Sequence, residues 1–131
     1  MIIVAVDPGP HIGVAIRYND GTLDVRMLHN ELLEFMDVIM QLKPDEIVVE
    51  RFATGGRMSG YGHETVEIVG VCRGLAFALG ARFEKRTPQQ RYAFMEQAHE
   101  QLKIGRSKLR SHEVDALAHL LSWEHWRNAS E

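Results

Sequence analysis

The chain has 131 residues, of which 45% are hydrophobic and 25% charged, and these values are typical of one soluble globular domain. Its single cysteine, Cys72, excludes an internal disulfide and a cysteine-based zinc site, and it favours a reducing environment. The formal net charge of −3 gives no general support for nucleic-acid binding, but a clustered acidic site and separate basic patches can cancel in the sum.

The sequence shows neither an export signal nor a membrane span. Met1 leads directly into a predicted strand, without the basic segment, apolar segment and cleavage site of a signal peptide. The apolar stretch 66–79 is interrupted by Arg73 and is too short to cross a bilayer. We therefore expect a cytoplasmic protein with a single domain over residues 1–131 and no membrane partner.

The first stretch of the chain predicts two strands joined by a tight turn. Residues 2–7 are apolar and β-branched up to Asp7, a Pro-Gly-Pro turn follows, and residues 12–18 resume the apolar pattern. A carboxylate at the end of an otherwise apolar strand has two explanations. Asp7 either bonds the backbone amides of the turn, or it is a metal ligand or catalytic acid at the edge of a rigid sheet.

A second acidic strand follows further along the chain. Residues 22–28 predict a third strand of an antiparallel meander, and residues 31–42 change to the helical period. Residues 46–50 then form a short, buried-looking strand that ends in Glu50. Because a helix precedes this strand, we expect it to lie parallel to the first strand, which places Asp7 and Glu50 side by side at the carboxyl ends.

The rest of the chain completes an α/β pattern. We predict a loop over 51–63, a helix over 64–79, a fifth strand over 82–85, a helix from Thr87 and Pro88 to about Leu102, a basic connector over 103–110, and a final helix from Ser111. The predicted fold is a five-stranded mixed sheet, in which an antiparallel meander of strands 1–3 is joined by parallel strands 4 and 5, with helices on its faces.

The final helix brings further candidate ligands to this sheet. His112 and Asp115 are three residues apart, so they share one face near the helix start, at the edge of its apolar stripe. If they approach Asp7 and Glu50, the carboxylates repel one another, and each pair about 4 Å apart costs roughly 4 kcal/mol at an effective dielectric near 20. A divalent cation removes this repulsion, although each residue also has an ordinary structural explanation.

Oxygen-rich ligands indicate Mg²⁺ or Mn²⁺. Two such ions about 3.5–4 Å apart form a clamp for phosphodiester hydrolysis, in which one activates water and the other stabilises the leaving oxygen. His112 is either a ligand or a general base.

Four segments of the chain resemble the RuvC family of Holliday junction resolvases, within the RNase H-like superfamily. They are residues 4–9 with 13–16, residues 47–50 with Phe52, the Gly-x-x-Arg-Gly stretch 70–74, and residues 112–118. The resemblance implies that Asp7, Glu50 and Asp115 take the family's metal-binding positions, and that His112 stands where many members have Asp and some have His. It also implies a homodimer that nicks opposing strands of branched DNA symmetrically, with Mg²⁺ or Mn²⁺ as cofactor.

Candidate DNA contacts lie outside the acidic site, and the resemblance supplies the first of them. Phe52 is expected to stack on junction bases, unless it is a core residue just past its strand. Candidates for other DNA contacts are Arg57, Tyr61, Lys85, Arg86, Gln89, Arg106, Lys108 and Arg110, although such charge runs are often only solvated faces. Arg73 is expected to serve the dimer interface or the fold.

Two other functions stay open from the sequence. One is a related nuclease that acts on flaps or RNA–DNA hybrids. The other is a catalytically idle module that binds branched DNA. An actin-like nucleotide-binding fragment also begins with Asp after a strand, but the chain is too short for that two-lobed fold.

Overall fold

The computed structural model describes residues 1–9, 11–28, 32–51, 60–103 and 111–130, with the backbone alone for 60–64 and 130. The elements in these ranges are β1 (Ile3–Asp7), β2 (Ile12–Arg17), β3 (Leu23–Leu28), α1 (Leu32–Leu42), β4 (Glu46–Glu50), α2 (Gly60–Leu79), β5 (Arg82–Arg86), a 3₁₀ helix (Pro88–Phe94), α3 (Met95–Leu102) and α4 (Ser111–Ser130). Among them, no helix combines the length and the apolar character that crossing a bilayer requires.

The strands form one mixed sheet in the order β3-β2-β1-β4-β5. Strands β1, β2 and β3 pair antiparallel, whereas β4 is parallel to both β1 and β5. Val6 of β1 lies opposite Val49 of β4, so Asp7 and Glu50 occupy the next position on adjacent parallel strands. The predicted sheet and the predicted neighbouring strand ends are confirmed.

Side-chain alternation along the strands separates two hydrophobic layers. Val6 and Val49 belong to the layer under α1 and α2. Ala5 and Val48 belong to the layer under α4, where Leu117 and Trp123 are fully buried. Since Asp7 lies two residues after Ala5, and Glu50 two after Val48, both acids share the face of the sheet that α4 covers.

The start of α4 lies directly on strand β2. A Cβ atom built on Gly13 would be 2.0 Å from the backbone oxygen of His112, a distance that no side chain tolerates. Gly13 also lies opposite Asp7 in the β1–β2 register. The missing side chain at Gly13 therefore lets the first turn of α4 approach the end of β1.

The helical segment after β5 differs from the prediction. Thr87 is the N-cap and Pro88 opens the helix, as expected, but the first part is the 3₁₀ helix and α3 begins only at Met95. At the junction, Phe94 has φ −113° and ψ 1°, which lie outside the α-helical region. The sequence predicted one continuous helix, because helix propensity does not show where a 3₁₀ segment gives way to an α-helix.

Other boundaries also shift. Helix α2 begins at Gly60, inside the stretch 51–63 that was expected to be a loop. The loop was expected because glycine has a low helix propensity, but tertiary packing can stabilise a helix that contains glycines. Strand β5 extends one residue beyond the expected 82–85 range, to Arg86.

We predict that Gly13→Ala destabilises the protein by about 1–3 kcal/mol, the usual cost of overpacking a well-packed core. The matched control is Gly9→Ala, because a Cβ on Gly9 would lie 3.4 Å from Cε1 of His112, an ordinary contact. Urea unfolding of the two variants and the wild type measures the difference. Equal stability of the two variants would contradict the close approach of α4.

Candidate active site

Asp7 and His112 form the first contact of the candidate site. The Asp7 side chain is buried, with 3% of the residue exposed. Nδ1 of His112 lies 2.7 Å from Oδ2 of Asp7, within hydrogen-bond distance. The contact joins the end of β1 to the first turn of α4, and the imidazole keeps 31% of its side-chain surface exposed.

Glu50 and Asp115 are linked by an arginine from the 3₁₀ helix. The Nη1 group of Arg91 donates a hydrogen bond to Oε1 of Glu50. Nε of Arg91 lies 3.3 Å from Oδ1 of Asp115, and all three side chains retain less than a fifth of their surface. The site therefore contains a positively charged group of its own, held between two carboxylates.

His119 lies on the other side of Glu50. It is fully buried, one helical turn after Asp115, and its Nε2 is 3.4 Å from Oε1 of Glu50. Neither ring nitrogen of His119 has a well-aligned hydrogen-bond partner within the described residues, so the contact with Glu50 is long and loose. Glu50 thus lies between Arg91 and a buried imidazole.

Burial and crowding separate the pKa values of the two strand-end acids. Burial raises the pKa of Asp7 from 3.8 to about 8, and the negative charges of Glu50 and Asp115 act in the same direction, against the contact with His112. Burial also acts to raise the pKa of Glu50, but the contacts with His119 and Asp7 and the charge of Arg91 outweigh it, so this pKa is lowered. Ionisation is therefore disfavoured on Asp7 and favoured on Glu50, although the two acids are neighbours.

The other two side chains respond to the same surroundings. The contact with Asp7 raises the pKa of His112, although burial opposes it. Burial raises the pKa of Asp115, although the charge of Arg91 opposes it. Negative charge is thus disfavoured on both aspartates of the site, as expected where carboxylates crowd together with little water.

The donor atoms of the site suit a hard divalent cation. Carboxylates of Asp7, Glu50 and Asp115, with an imidazole at the edge, form the kind of set that Mg²⁺ or Mn²⁺ prefers. Across the described residues, however, no three acidic, histidine or cysteine side chains are already arranged to hold an ion. The contacts explain this, because His112 engages Asp7 and Arg91 lies between Glu50 and Asp115.

Among the predicted DNA contacts, Lys85 and Gln89 are exposed. Lys85 lines a groove of about 430 Å³ together with Arg51, Arg73, Phe83, Glu84 and Thr87. Cζ of Arg73 lies 5.4 Å from the centroid of the Phe83 ring, so the two side chains are in contact within the protomer. The groove brings Lys85 together with two arginines that lie far from it in sequence.

Arg86 does not have the exposure that a phosphate contact requires. Only 5% of this residue is exposed, and its Nη2 donates to Oγ of Ser122 at 2.8 Å. Its Cζ is 5.6 Å from the centroid of the Trp123 ring. The side chain of Arg86 lies on the face of β5 that α4 covers. The prediction that Arg86 contacts DNA phosphates at the surface is therefore wrong.

The remaining predicted DNA contacts lie outside the described residues. They are Phe52, Arg57, Arg106, Lys108, Arg110 and the side chain of Tyr61.

Two residues of the site were missed in the sequence. His119 follows His112 and Asp115 at helical spacing, so the pattern 112, 115, 119 on one face was an available signal. Arg91 had no such signal, because its position depends on how the 3₁₀ helix packs against α4.

No protein-family model and no curated protein matches this sequence. Solved structures do match. The RuvC of T. thermophilus in complex with a Holliday junction substrate aligns with a TM-score of 0.74 and 16% identity, covering 98% of this chain and 96% of that one. A second structure of Thermus thermophilus RuvC aligns with a TM-score of 0.68 and 18% identity, over 99% and 97% of the two chains.

A resolvase from another source has the same fold. The yeast mitochondrial Holliday junction resolvase Ydc2 aligns with a TM-score of 0.66 and 10% identity, covering 96% of this chain and 78% of that one. The fold of the chain is therefore that of RuvC, and the predicted RNase H-like architecture is confirmed.

We predict that the metal-free protein loses stability as the pH rises from about 4 to about 8. The pKa of Asp7 is 3.8 in the unfolded chain and about 8 in the folded protein, so its contribution is complete below 3.8 and is lost towards 8. His112 acts in the same direction, since its contribution is present below 6.5 and is lost as the pH rises through its raised pKa.

Asp7→Asn removes the Asp7 part of this dependence, and we expect the variant to be more stable than the wild type at pH 8 by roughly 1–3 kcal/mol. Urea unfolding in EDTA between pH 5 and 8 measures both effects, with Asp24→Asn on strand β3 as the control. A wild-type protein that gains stability from pH 5 to 8 would contradict the assignment.

Proposed function

We propose that this chain is a structure-selective endodeoxyribonuclease that resolves four-way or otherwise branched DNA by metal-dependent phosphodiester hydrolysis, with one domain over residues 1–131. The observation that carries the proposal is the convergence of Asp7, Glu50 and Asp115 from β1, β4 and α4 at one end of a RuvC-type sheet. The raised pKa values of Asp7 and Asp115 support the proposal, because strongly perturbed acids cluster at functional sites.

The three carboxylates are the proposed ligands of Mg²⁺ or Mn²⁺, with two ions per site. When bound, the ions supply Lewis-acid activation of the attacking water and stabilisation of the leaving 3′ oxygen. Asp7 and Glu50 are held in place by rigid neighbouring strands, and Asp115 by α4. This rigidity supports the proposal, because ligands on fixed elements keep the geometry that in-line displacement requires.

His112 is the proposed proton acceptor. Because its Nδ1 is engaged by Asp7, Nε2 is the nitrogen left to take a proton from the attacking water. The carboxylate fixes the ring orientation and stabilises its charged form, which is the cause of the raised pKa of His112. The partly exposed imidazole also leaves a path for the proton to solvent.

The basic groove is the proposed contact for the DNA backbone. Arg51 directly follows Glu50 in the chain, and Lys85 pairs with Val49 in strand β5. The groove therefore lies near the same end of the sheet as the acids, but on the opposite face, which α2 covers. Such contacts position a phosphate chain without reading its bases, which suits recognition of shape. Phe52 remains the proposed base-stacking residue, and Arg57, Tyr61, Gln89, Arg106, Lys108 and Arg110 remain proposed DNA contacts.

A second copy of the chain is the proposed partner along α2. Val66 and Phe77 are 44% and 90% exposed, on the helix that also carries Gly70 and Gly74. No described atom outside the helix and the neighbouring residues lies within 4 Å of a Cβ built on either glycine, so nothing described in the protomer approaches that surface closely. An exposed aromatic beside small residues on one helix supports close helix packing across a two-fold axis.

We predict that the wild type cleaves labelled four-way junctions in Mg²⁺ or Mn²⁺ and is inactive in EDTA. Asp7→Asn should lose cleavage by about a thousandfold or more, since several kcal/mol of transition-state stabilisation depend on its carboxylate, while junction binding persists. Asp24→Asn should cleave like the wild type.

Flaps, linear duplexes and RNA–DNA hybrids in the same assay separate the related nuclease activities. Cleavage of hybrids in preference to junctions would replace the proposed substrate. Junction binding that EDTA does not affect, with no cleavage of any substrate, would instead indicate an idle binding module.

We also predict that Phe77→Asp shifts the protein from dimer to monomer, with a dissociation constant raised by about thirtyfold or more, as for a central aromatic of an interface. Sedimentation equilibrium measures this constant. The control is Tyr92→Asp, because Tyr92 is a 60% exposed aromatic on the other side of the sheet. A wild-type monomer, or equal effects of both substitutions, would contradict this interface.

A further inference from the structure

Arg91 has a role that cleavage of DNA does not by itself explain. Its guanidinium occupies the space between Glu50 and Asp115, two of the acids that the proposed function assigns to metal binding. We propose that Arg91 is the resident counter-cation of the metal-free site and that it competes with the divalent ion for Glu50 and Asp115. Metal binding is then an exchange of one cation for another.

The chemistry of the two cations makes them rivals for the same oxygens. A guanidinium is permanently charged and planar, and it presents several N–H groups, so it can join two carboxylates that would otherwise repel each other. A divalent ion needs the lone pairs of those carboxylates and also lowers their repulsion. The two cations compete, because their charges repel and Arg91 already engages one oxygen of Glu50 and lies close to one of Asp115.

The contacts of Arg91 indicate that it can leave at modest cost. Its Nε is buried without a well-aligned hydrogen bond, although Asp115 lies 3.3 Å away. The 3₁₀ helix that carries Arg91 contains no buried residue. Movement of the guanidinium therefore disrupts one ion pair with Glu50 and a weak contact with Asp115, and it does not open the core.

Two further groups contact Arg91 at the same time as the acids do. Its Cζ is 5.4 Å from the ring centroid of Tyr92, which is 60% exposed, and its Nη1 is 3.3 Å from the backbone oxygen of Pro88. A guanidinium that leaves the acids keeps partners at the protein surface, since stacking on an aromatic face is a favourable environment for arginine. These contacts stay available within the same short helix when the guanidinium moves away from the acids.

The inference rests on the proposed metal site and is independent of the DNA substrate. Titration calorimetry with Mn²⁺ alone, on the metal-free full chain, tests it. We expect Arg91→Gln to bind Mn²⁺ about tenfold more tightly than the wild type, because the competing charge is gone, and Arg91→Lys to lie between them. In the absence of metal, Arg91→Gln should also unfold at a lower temperature than the wild type.

The matched control is Arg17→Gln. Arg17 bridges to Glu124 at 3.1 Å with side-chain exposures of 23% and 25%, similar to those of the Arg91 pairs but away from the acids. We expect this variant to lose some stability and to keep the wild-type affinity for Mn²⁺. Unchanged or weaker Mn²⁺ binding by Arg91→Gln, with binding by the wild type intact, would overturn the exchange alone. If neither the wild type nor Arg91→Gln bound Mn²⁺, the proposed metal site itself would fail.

A measurement on the wild type decides the matter if Arg91→Gln does not fold. The Nε–Hε signals of the arginines are followed by ¹⁵N NMR during titration with Mg²⁺, and the signal missing in Arg91→Lys identifies Arg91. We expect the Arg91 signal to shift with metal occupancy while that of Arg17 stays in place. An Arg91 signal that remains unchanged at saturating Mg²⁺ would overturn the proposal.

Discussion

The compensation of negative charge at one end of the sheet is the constraint on which this structure depends. Asp7, Glu50 and Asp115 are brought together where little water reaches them. Ionised carboxylates without partners in such a place destabilise the folded protein, because they lose hydration and repel one another. In the metal-free protein His112 contacts Asp7, and the guanidinium of Arg91 contacts Glu50 and Asp115, so each acid has a partner that can carry positive charge. Such a destabilising cluster of acids at one site is typical of functional sites, where stability is lower than packing alone would allow.

The convergence itself follows from backbone geometry. Parallel pairing of β1 with β4 places Asp7 beside Glu50, and strand alternation directs both towards the face that α4 covers. Gly13 allows the first turn of α4 to touch the sheet, which brings His112 to Asp7. Hydrophobic packing thus positions polar side chains whose own interactions would separate them.

Local sequence rules were sufficient for the architecture and for part of the site. Hydrophobic period, turn residues and the helix before β4 predicted the antiparallel meander and the parallel pairing of β4 with β1, and with it the neighbouring acids. The same rules did not find Arg91 or the burial of Arg86, because each depends on which element packs against it rather than on its own segment. The break at Phe94 was missed for the same reason.

Crystals of the wild-type protein soaked in Mn²⁺ provide the most direct measurement of the central claim, that these acids form a cation site. Anomalous scattering should show an ion about 2.0–2.3 Å from carboxylate oxygens of Asp7 and of Glu50 or Asp115, with Arg91 moved out of the gap. An ion bound elsewhere, or no ion while Arg91 still joins Glu50 to Asp115 at saturating Mn²⁺, would contradict the account.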